Sequence, residues 1–289
     1  MAKGISLNIG LNLVDPNQYG DSFEELEGCE NDARAMLALA AGQGFQTTLL
    51  LNNQATTTAV ISEIKNAASQ LNGGDFFLLT YSGHGSQLIN ELNGDDEPDG
   101  LDETWVLYDR NLIDDELAVL WSQFRTDVRI LVVSDSCNSG TIAQSLQVSP
   151  TSLASSHSQA SPHGQAVSHS QPGRRSRGIR RGMQVGHMSQ FRKTYDDIRS
   201  GLPNLDTLAI GASVLSLSAC EDGQSADDGM ENGAFTGAIL QVWDNGAFFG
   251  DYNQFYDRLL DEKLCIQKPQ ISLTGGSNIN FMKQRPFTI

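Results

Sequence analysis

One cysteine and one histidine stand in motifs that each follow a predicted β-strand. Cys137 lies in Asp135-Ser136-Cys137-Asn138-Ser139-Gly140, and His84 lies in Tyr81-Ser82-Gly83-His84-Gly85. A cysteine becomes a good nucleophile near neutral pH when a base stands beside it. Glycines at such positions leave room for the backbone of a bound chain. Taken singly, each motif also fits an ordinary turn, but together they indicate a Cys–His pair that performs nucleophilic catalysis.

The remaining cysteines and histidines offer no comparable pair. No two cysteines form a Cys-x-x-Cys motif, which argues against a structural zinc site. Free cysteines are most often inert core residues, and this interpretation suits Cys29, Cys220 and Cys265. The other histidines are too widely spaced for a metal site and all lie between residues 145 and 190: His157, His163, His169 and His187.

Hydrophobic periodicity predicts strands that alternate with helices along most of the chain. The predicted strands are 4–9, 46–51, 75–81, 104–108, 128–135, 206–213 and 269–273. The predicted helices are 30–41, 57–71, 114–124, 234–244 and 252–263. This alternation predicts an α/β fold with a mostly parallel central β-sheet flanked by helices on both faces. Sheets of this kind carry their sites beyond the carboxyl ends of the strands, where both motifs fall.

One segment interrupts the alternation. Residues 145–190 are rich in Ser, Gln, Gly, His and Arg and nearly lack large apolar side chains, so they cannot offset the entropy lost on ordering. We therefore divide the chain into a first part, 1–144, a flexible basic linker, 145–195, and a last part, 196–289. The first and last parts are expected to form one domain together.

The charge of the chain limits its partners. The formal net charge is −16, which argues against binding to nucleic acid or to an anionic membrane. No apolar run reaches the roughly 18 residues that a membrane span needs, and the first residues lack the features of a signal peptide. We expect a cytoplasmic, monomeric protein whose partners are proteins or peptides with basic residues.

The two motifs resemble those of caspase-fold cysteine peptidases, and the metacaspases and orthocaspases of peptidase family C14 in particular. The similarity runs from Gly4 to Ile289 apart from 145–195, and the large-subunit-like (p20) and small-subunit-like (p10) parts match 1–144 and 196–289. The resemblance implies a caspase-like fold in which Cys137 attacks the scissile carbonyl and His84 protonates the leaving amine. The backbone N–H groups of Gly85 and Cys137 would hold the oxyanion. One departure is Asn138, where the family usually has histidine.

The resemblance also implies a specificity pocket built from Asp32, Ser82 and Asp135. Paired carboxylates suit a guanidinium or an ammonium group, so we expect cleavage after Arg or Lys. Taken alone, Asp32 also fits an acid in the first turn of a helix, and Asp135 fits a turn residue after a strand.

Calcium dependence is left open. In calcium-dependent relatives the ion sits among carboxylates that match Asp102, Asp114 and Asp115, whereas a fourth matching position holds Gln144. An amide oxygen can bind calcium but brings no charge, so affinity should fall or the requirement should be lost. We therefore expect no strictly required cofactor.

The linker itself resembles a substrate. It contains no acidic residue and holds a run of basic ones, after which we expect self-processing: Arg174, Arg175, Arg177, Arg180, Arg181, Arg192 and Lys193. Two alternatives to a peptidase are a catalytically silent scaffold with a caspase fold and a calcium-responsive interaction module. Hydrolysis of a small basic peptide separates the peptidase from both.

Overall fold

The computed structural model describes residues 2–89, 101–137, 175–177, 184–219, 227–228, 231–261, 268–276 and 280–289. The strands are β1 (Gly4–Gly10), β2 (Gln46–Leu51), β3 (Phe76–Ser82), β4 (Gly85–Ile89), β5 (Leu101–Val106), β6 (Asn111–Ile113), β7 (Arg129–Asp135), β8 (Arg175–Ser176), β9 (Ser213–Ser218), β10 (Asp227–Asp228) and β11 (Gln270–Gly275). The α-helices are α1 (Pro16–Tyr19), α2 (Cys29–Gly42), α3 (Thr57–Gln70), α4 (Asp114–Trp121), α5 (Gln184–Gly201), α6 (Ala234–Trp243) and α7 (Tyr252–Leu259).

Six strands form the central sheet in the order β11-β9-β7-β3-β1-β2. All neighbouring pairs are parallel except β9 and β11, which are antiparallel. Two strands that follow the predicted linker, β9 and β11, thus lie in the same sheet as β7. The predicted α/β class with a mostly parallel sheet is confirmed.

Both faces of the sheet are buried under helices. In β3 every residue is buried, and successive side chains enter two different hydrophobic clusters. Phe77 and Leu79 pack with residues of α3 and α4, whereas Phe76 and Leu78 pack with residues of α2, α6 and α7. A strand covered on both sides must be apolar throughout, which is why β3 and β7 appear as continuous apolar runs in the sequence.

A small antiparallel sheet lies beside the central one, with strand order β4-β5-β6. Helix α5 covers it through a cluster in which Tyr195 is buried with Leu88 and Ile113. The hydroxyl of Tyr195 accepts a hydrogen bond from the backbone N–H of Asn111 at 2.8 Å. This contact joins α5 to the start of β6.

Two sequence-based expectations differ from the structure. A strand was expected at 206–213, but the strand in this region is β9, and Leu205–Thr207 form a short 3-10 turn. Helix α5 begins at Gln184, within the segment expected to be a flexible linker. The reason is the spacing of Phe191, Tyr195 and Ile198, which puts three apolar side chains on one helical face against β4 and β6, where Leu202 joins them just after the helix ends.

The expectation about location is tested only in part. Among the described residues, no helix combines the length and the apolar character that a membrane span requires. The cytoplasmic location and the monomeric state remain predictions.

Candidate active site

The two motifs meet at the carboxyl ends of neighbouring strands. Strands β3 and β7 pair in parallel, with Ser82 opposite Asp135. His84 comes two residues after Ser82, and Cys137 comes two residues after Asp135, so both lie beyond the same edge of the sheet. Both side chains are buried. The backbones touch as well, because a Cβ added to Gly85 would overlap the carbonyl oxygen of Cys137. Only glycine allows the histidine loop to lie so close to the cysteine.

His84 is fixed through both its ring and its backbone. Its Nε2 lies 2.6 Å from the carbonyl oxygen of Glu24, and its ring lies 4.9 Å from that of Phe23. Its own carbonyl accepts hydrogen bonds from the Tyr81 hydroxyl at 2.7 Å and from the Val106 N–H at 3.0 Å. A carbonyl can only accept, so in the neutral ring Nε2 carries the proton and Nδ1 is the basic nitrogen.

Beside this pair lie two buried carboxylates, those of Asp32 and Asp135. Oδ2 of Asp32, in the first turn of α2, accepts from the Ser82 hydroxyl at 2.7 Å, and its Oδ1 accepts from the Gly233 N–H at 2.9 Å. Oδ2 of Asp135 accepts from both the N–H and the hydroxyl of Thr236, at 2.9 and 2.7 Å. The three residues expected to form the pocket, Asp32, Ser82 and Asp135, therefore lie together.

The side chain of Arg177 fills the space between the two carboxylates. Its exposure is 0%. Nη2 lies 2.8 Å from Oδ2 of Asp32, and Nη1 lies 2.7 Å from Oδ1 of Asp135 and 2.8 Å from its carbonyl oxygen. A guanidinium can be excluded from water in this way because each side of its fork meets an acceptor.

The backbone of Arg177 is held as firmly as its side chain. Its carbonyl oxygen accepts a hydrogen bond from the N–H of Gly85 at 3.0 Å. The two preceding residues form β8, which pairs antiparallel with β10 so that Ser176 faces Asp227 and Arg175 faces Asp228. An extended peptide that adds a strand to its receptor binds in the same manner.

Burial raises the pKa of Asp32 from 3.8 to about 7. Desolvation is the largest cause, the positive charge of Arg177 lowers the pKa, and the nearby Asp135 raises it again. The carboxylate therefore depends on a cation in the pocket to stay charged near neutral pH.

Three contributors to the site were missed in the sequence. Glu24 acts through its backbone carbonyl, which no side-chain pattern reveals. Gly233 and Thr236 bind the two carboxylates from the start of α6, about 100 residues or more along the chain from either. The segment Asn232-Gly-Ala-Phe-Thr-Gly lies within the range over which the chain resembles the caspase-fold peptidases, and that signal could have assigned them to the pocket.

The three residues expected to bind calcium are all buried in this arrangement. Asp102 is buried against Arg199 of α5, whose Nη2 and Nε lie 2.7 and 2.8 Å from its Oδ2. Asp114 and Asp115 are buried at the start of α4. In the part of the chain that the structure describes, no three His, Cys, Asp or Glu side chains are grouped as a metal site requires. Gln144 lies outside the described residues, and calcium dependence stays a prediction.

The expected self-processing residues are found in different settings. Arg175 and Arg177 belong to the segment that enters the cleft, whereas Arg192 and Lys193 are exposed on α5. Arg174, Arg180 and Arg181 lie outside the described residues, as do Cys220 and Cys265. Cys29 is buried in the first turn of α2.

Comparison with known proteins agrees with this fold. The family model of the peptidase C14 caspase domain matches residues 12–275. Metacaspase-1 of Mycosarcoma maydis is 27% identical over 90% of this chain and 69% of its own length. Metacaspase-4 of Arabidopsis thaliana is 36% identical over 42% of this chain, which spans 31% of that relative.

A solved structure covers the whole chain. The crystal structure of a protein from Geobacter sulfurreducens matches with a TM-score of 0.80 and 40% identity, over 99% of both chains. The match includes both parts that flank the predicted linker. With the sheet, the paired motifs and the family model in agreement, this chain belongs to the caspase-domain family of peptidases, C14.

Proposed function

We propose that this chain is a cysteine endopeptidase that cuts protein or peptide substrates after Arg or Lys. The observation that carries the proposal is the pocket, in which two buried carboxylates hold a guanidinium next to the Cys–His pair. A pocket that selects Asp would instead need a buried cation of the protein that faces the substrate carboxylate. The names of the metacaspase relatives support the peptidase class.

Cys137 and His84 carry the chemistry in this proposal. Nδ1 of His84 takes the proton of the Cys137 thiol as the sulfur attacks the scissile carbonyl carbon, and it passes that proton to the leaving amine as the C–N bond breaks. Water then attacks the thioester and gives a proton to His84, the C–S bond breaks, the sulfur of Cys137 leaves with that proton returned to it, and the product departs as a carboxylate after losing its own proton to solvent. The Glu24 carbonyl holds the Nε2–H and so leaves Nδ1 for these transfers.

The oxyanion is stabilised by backbone N–H groups. The N–H of Gly85 already donates to a carbonyl oxygen in the cleft, that of Arg177. A second donor, the N–H of Cys137, would share the charge that develops on this oxygen. Removal of one such donor typically costs about 3–4 kcal/mol of barrier stabilisation.

We further propose self-processing in the basic linker, at one or more of Arg174, Arg175, Arg177, Arg180, Arg181, Arg192 and Lys193. An acidic cleft favours an acid-free basic segment, and cytoplasmic substrates with basic residues would compete for the same pocket.

The test uses fluorogenic peptides that differ only in the residue before the cut. The purified chain should hydrolyse the Arg and Lys peptides and leave the Asp and Asn peptides intact. Cys137→Ala should abolish hydrolysis, whereas Cys29→Ala, which also removes a buried sulfur, should retain it apart from a loss of stability. Turnover by the Cys137→Ala protein, or preference for the Asp peptide, would exclude the proposal.

A further inference from the structure

We propose that Trp105, in β5, is a positioning residue that sets the spacing between Cys137 and His84. The inference rests on the proposed function, because it concerns the two side chains that would carry out the chemistry. Trp105 acts through two neighbours, Tyr81 in β3 and Ser134 in β7. Its ring meets the first and its indole N–H meets the second.

The register of the central sheet places Tyr81 and Ser134 side by side. They are paired residues of β3 and β7, one position before Ser82 and Asp135. Successive side chains of a strand point to opposite faces, so the two pocket residues lie on one face of the sheet and Tyr81 and Ser134 lie on the other. Trp105 belongs to the hydrophobic cluster that includes Tyr81 on this second face.

The first connection runs to the histidine. The Trp105 ring is stacked on the Tyr81 ring, with centroids 4.6 Å apart and an angle of 11° between the planes. The Tyr81 hydroxyl donates to the carbonyl oxygen of His84 at 2.7 Å. A Cβ added to Gly83 would meet this hydroxyl oxygen at 2.6 Å, so the histidine loop closes tightly around it. Burial raises the pKa of Tyr81 well above its ordinary value of 10, so the hydroxyl keeps the proton that it donates.

The backbone around Trp105 holds the same loop. In the pairing of β4 with β5, Trp105 lies opposite Gly85, the residue that follows His84. The N–H of Val106, which follows Trp105, donates to the His84 carbonyl at 3.0 Å. The histidine loop is therefore bound to β5 through both the backbone and the stacked rings.

The second connection runs to the cysteine. The indole N–H of Trp105 donates to Oγ of Ser134 at 2.9 Å, and that oxygen lies 3.0 Å from Oγ of Ser136. Ser136 directly precedes Cys137, and all four residues are buried. A buried hydrogen bond is costly to leave unmade, because the polar group loses its partner without gaining water. The indole N–H thus orients the serine pair that leads into the nucleophile.

One rigid side chain is thereby bonded to both catalytic loops. Indole carries a flat face and a single donor whose directions are fixed relative to each other, so it can hold two neighbours at a set spacing. Reacting groups must meet within a narrow range of distance, and a misplacement of about 1 Å can lower a rate about a hundredfold. Loss of the indole N–H should therefore slow the chemical step and leave substrate binding unchanged.

The first experiment compares two tryptophans of the same hydrophobic cluster. Trp105→Phe keeps an aromatic ring and removes the N–H that donates to Ser134. Trp121→Phe is the matched control, because Trp121 is also buried and its Nε1 has no hydrogen-bond partner within the described part of the chain.

We expect kcat for an Arg peptide to fall at least about tenfold in Trp105→Phe, with KM within about twofold of the wild type. Neither constant should change in Trp121→Phe, and thermal unfolding of both variants checks the fold. An unchanged kcat in Trp105→Phe, equal losses in both variants, or a loss that lies in KM would refute the positioning role.

A double-mutant cycle tests the route through the serine. Ser134→Ala removes the acceptor of the indole N–H, so the Trp105→Phe/Ser134→Ala protein should be no slower than the slower of the two single variants. Losses in kcat that multiply would mean that Trp105 and Ser134 act independently, and this result would overturn the role of the N–H.

A measurement without peptide separates this inference from the proposed function. Iodoacetamide modifies thiolates, and mass spectrometry of the digested protein reports the rate at Cys137 alone. At pH 7 we expect this rate to fall about fivefold or more in Trp105→Phe and to stay unchanged in Trp121→Phe, because the thiol then lacks a well-placed base. Equal rates in the wild type and both variants would sink the inference even if peptides are hydrolysed. A wild type that hydrolyses no peptide but shows the difference would exclude the proposed function and leave the positioning role standing.

Discussion

Asp32 connects the pH of the solution to the binding of a basic side chain. Its pKa of about 7 beside Arg177 means that protonation begins near neutrality, and a neutral Asp32 leaves only Asp135 to hold a cation in the pocket. Protonation and cation binding therefore compete for the same carboxylate. The pKa is raised from 3.8, so the charged form costs stability, and this cost appears as the pH rises from 3.8 through about 7.

The pKa of about 7 includes the charge of Arg177, and removal of that charge raises it further. The KM for Arg peptides should accordingly rise as the pH falls toward 7, by up to about tenfold for one pH unit. Above this range the KM should level off, because Asp32 is then charged. The Asp32→Asn variant should bind Arg peptides more weakly, and its KM should not change over this pH range. KM is the quantity to measure, and a KM in the wild type that is constant from pH 6 to pH 8 would contradict the assignment.

Gly233 leaves the space that a guanidinium needs. Its φ of −59° suits any residue, so the effect of a side chain here comes from contact with Arg177 and Asp135 rather than from backbone strain. Gly233→Ala should reduce kcat/KM for Arg peptides by about tenfold or more, equivalent to roughly 1.4 kcal/mol.

The matched control for this variant is Gly237→Ala. Gly237 lies one turn along α6, and a Cβ there meets nothing within 4 Å. Alanine in a helix interior is favoured over glycine, so the control should keep its activity and be as stable as the wild type or more so. Similar losses in both variants would point to α6 as a whole rather than to the pocket.

At the scale of secondary structure, the ion pair between Arg199 and Asp102 attaches α5 to β5. Both side chains are almost excluded from water, at 4% and 2% exposure. Arg199→Gln leaves Asp102 buried without its cation, a loss typically of about 3–5 kcal/mol. We expect a clearly lower midpoint in thermal unfolding.

Arg192→Gln provides the control, because its side chain is 51% exposed and its pair with Asp196 spans 3.8 Å. Its effect should stay within about 1 kcal/mol.

Calcium would have to displace Arg199 to reach Asp102, so a chelator should change the wild-type activity little. Complete and calcium-reversible loss on chelation would show that the ion pair yields to the metal.

The elements predicted well are those whose pattern is complete within a short window. Strands β3 and β7 are apolar throughout because both faces are covered, and α3 begins with Thr56 as its N-cap. Strand β9, SVLSLS, was placed too early because apolar residues also precede it. Helix α5 was missed because its polar residues outnumber the apolar ones that dock it.

The candidate site shows the same difference between residues with a local sequence signal and residues without one. Asp32, Ser82 and Asp135 were expected in the pocket from the resemblance alone, and the parallel pairing of β3 with β7 explains why Ser82 and Asp135 lie side by side. The role of Arg177 among seven basic residues could not be read from sequence, because it depends on which residue reaches the pocket when the chain is folded. Contacts across long stretches of chain, such as that of Gly233 with Asp32, carry no local signal.

At the scale of the whole molecule, the central sheet joins residues from both sides of the proposed cut. β9 lies between β7 and β11, so a cut after Arg177 leaves the sheet and its two hydrophobic clusters intact. The processed protein should elute as one species on size exclusion and separate only under denaturing conditions, into fragments of about 19 and 12 kDa in proportion to chain length. Two separately eluting fragments in native buffer would contradict a shared fold.

Strand β8 belongs to the same chain as the cleft it fills, and this tether has a kinetic consequence. A bond that its own chain delivers is cut in a first-order step, at a rate independent of encounters between molecules. The half-time of self-processing should therefore stay constant over about a hundredfold dilution, whereas cutting between molecules would slow in proportion. Cys137→Ala chains mixed with active enzyme should lose the same bond more slowly, because each shields it within its own cleft. Self-processing would then proceed at a fixed rate once the chain has folded, whatever the concentration of the chain.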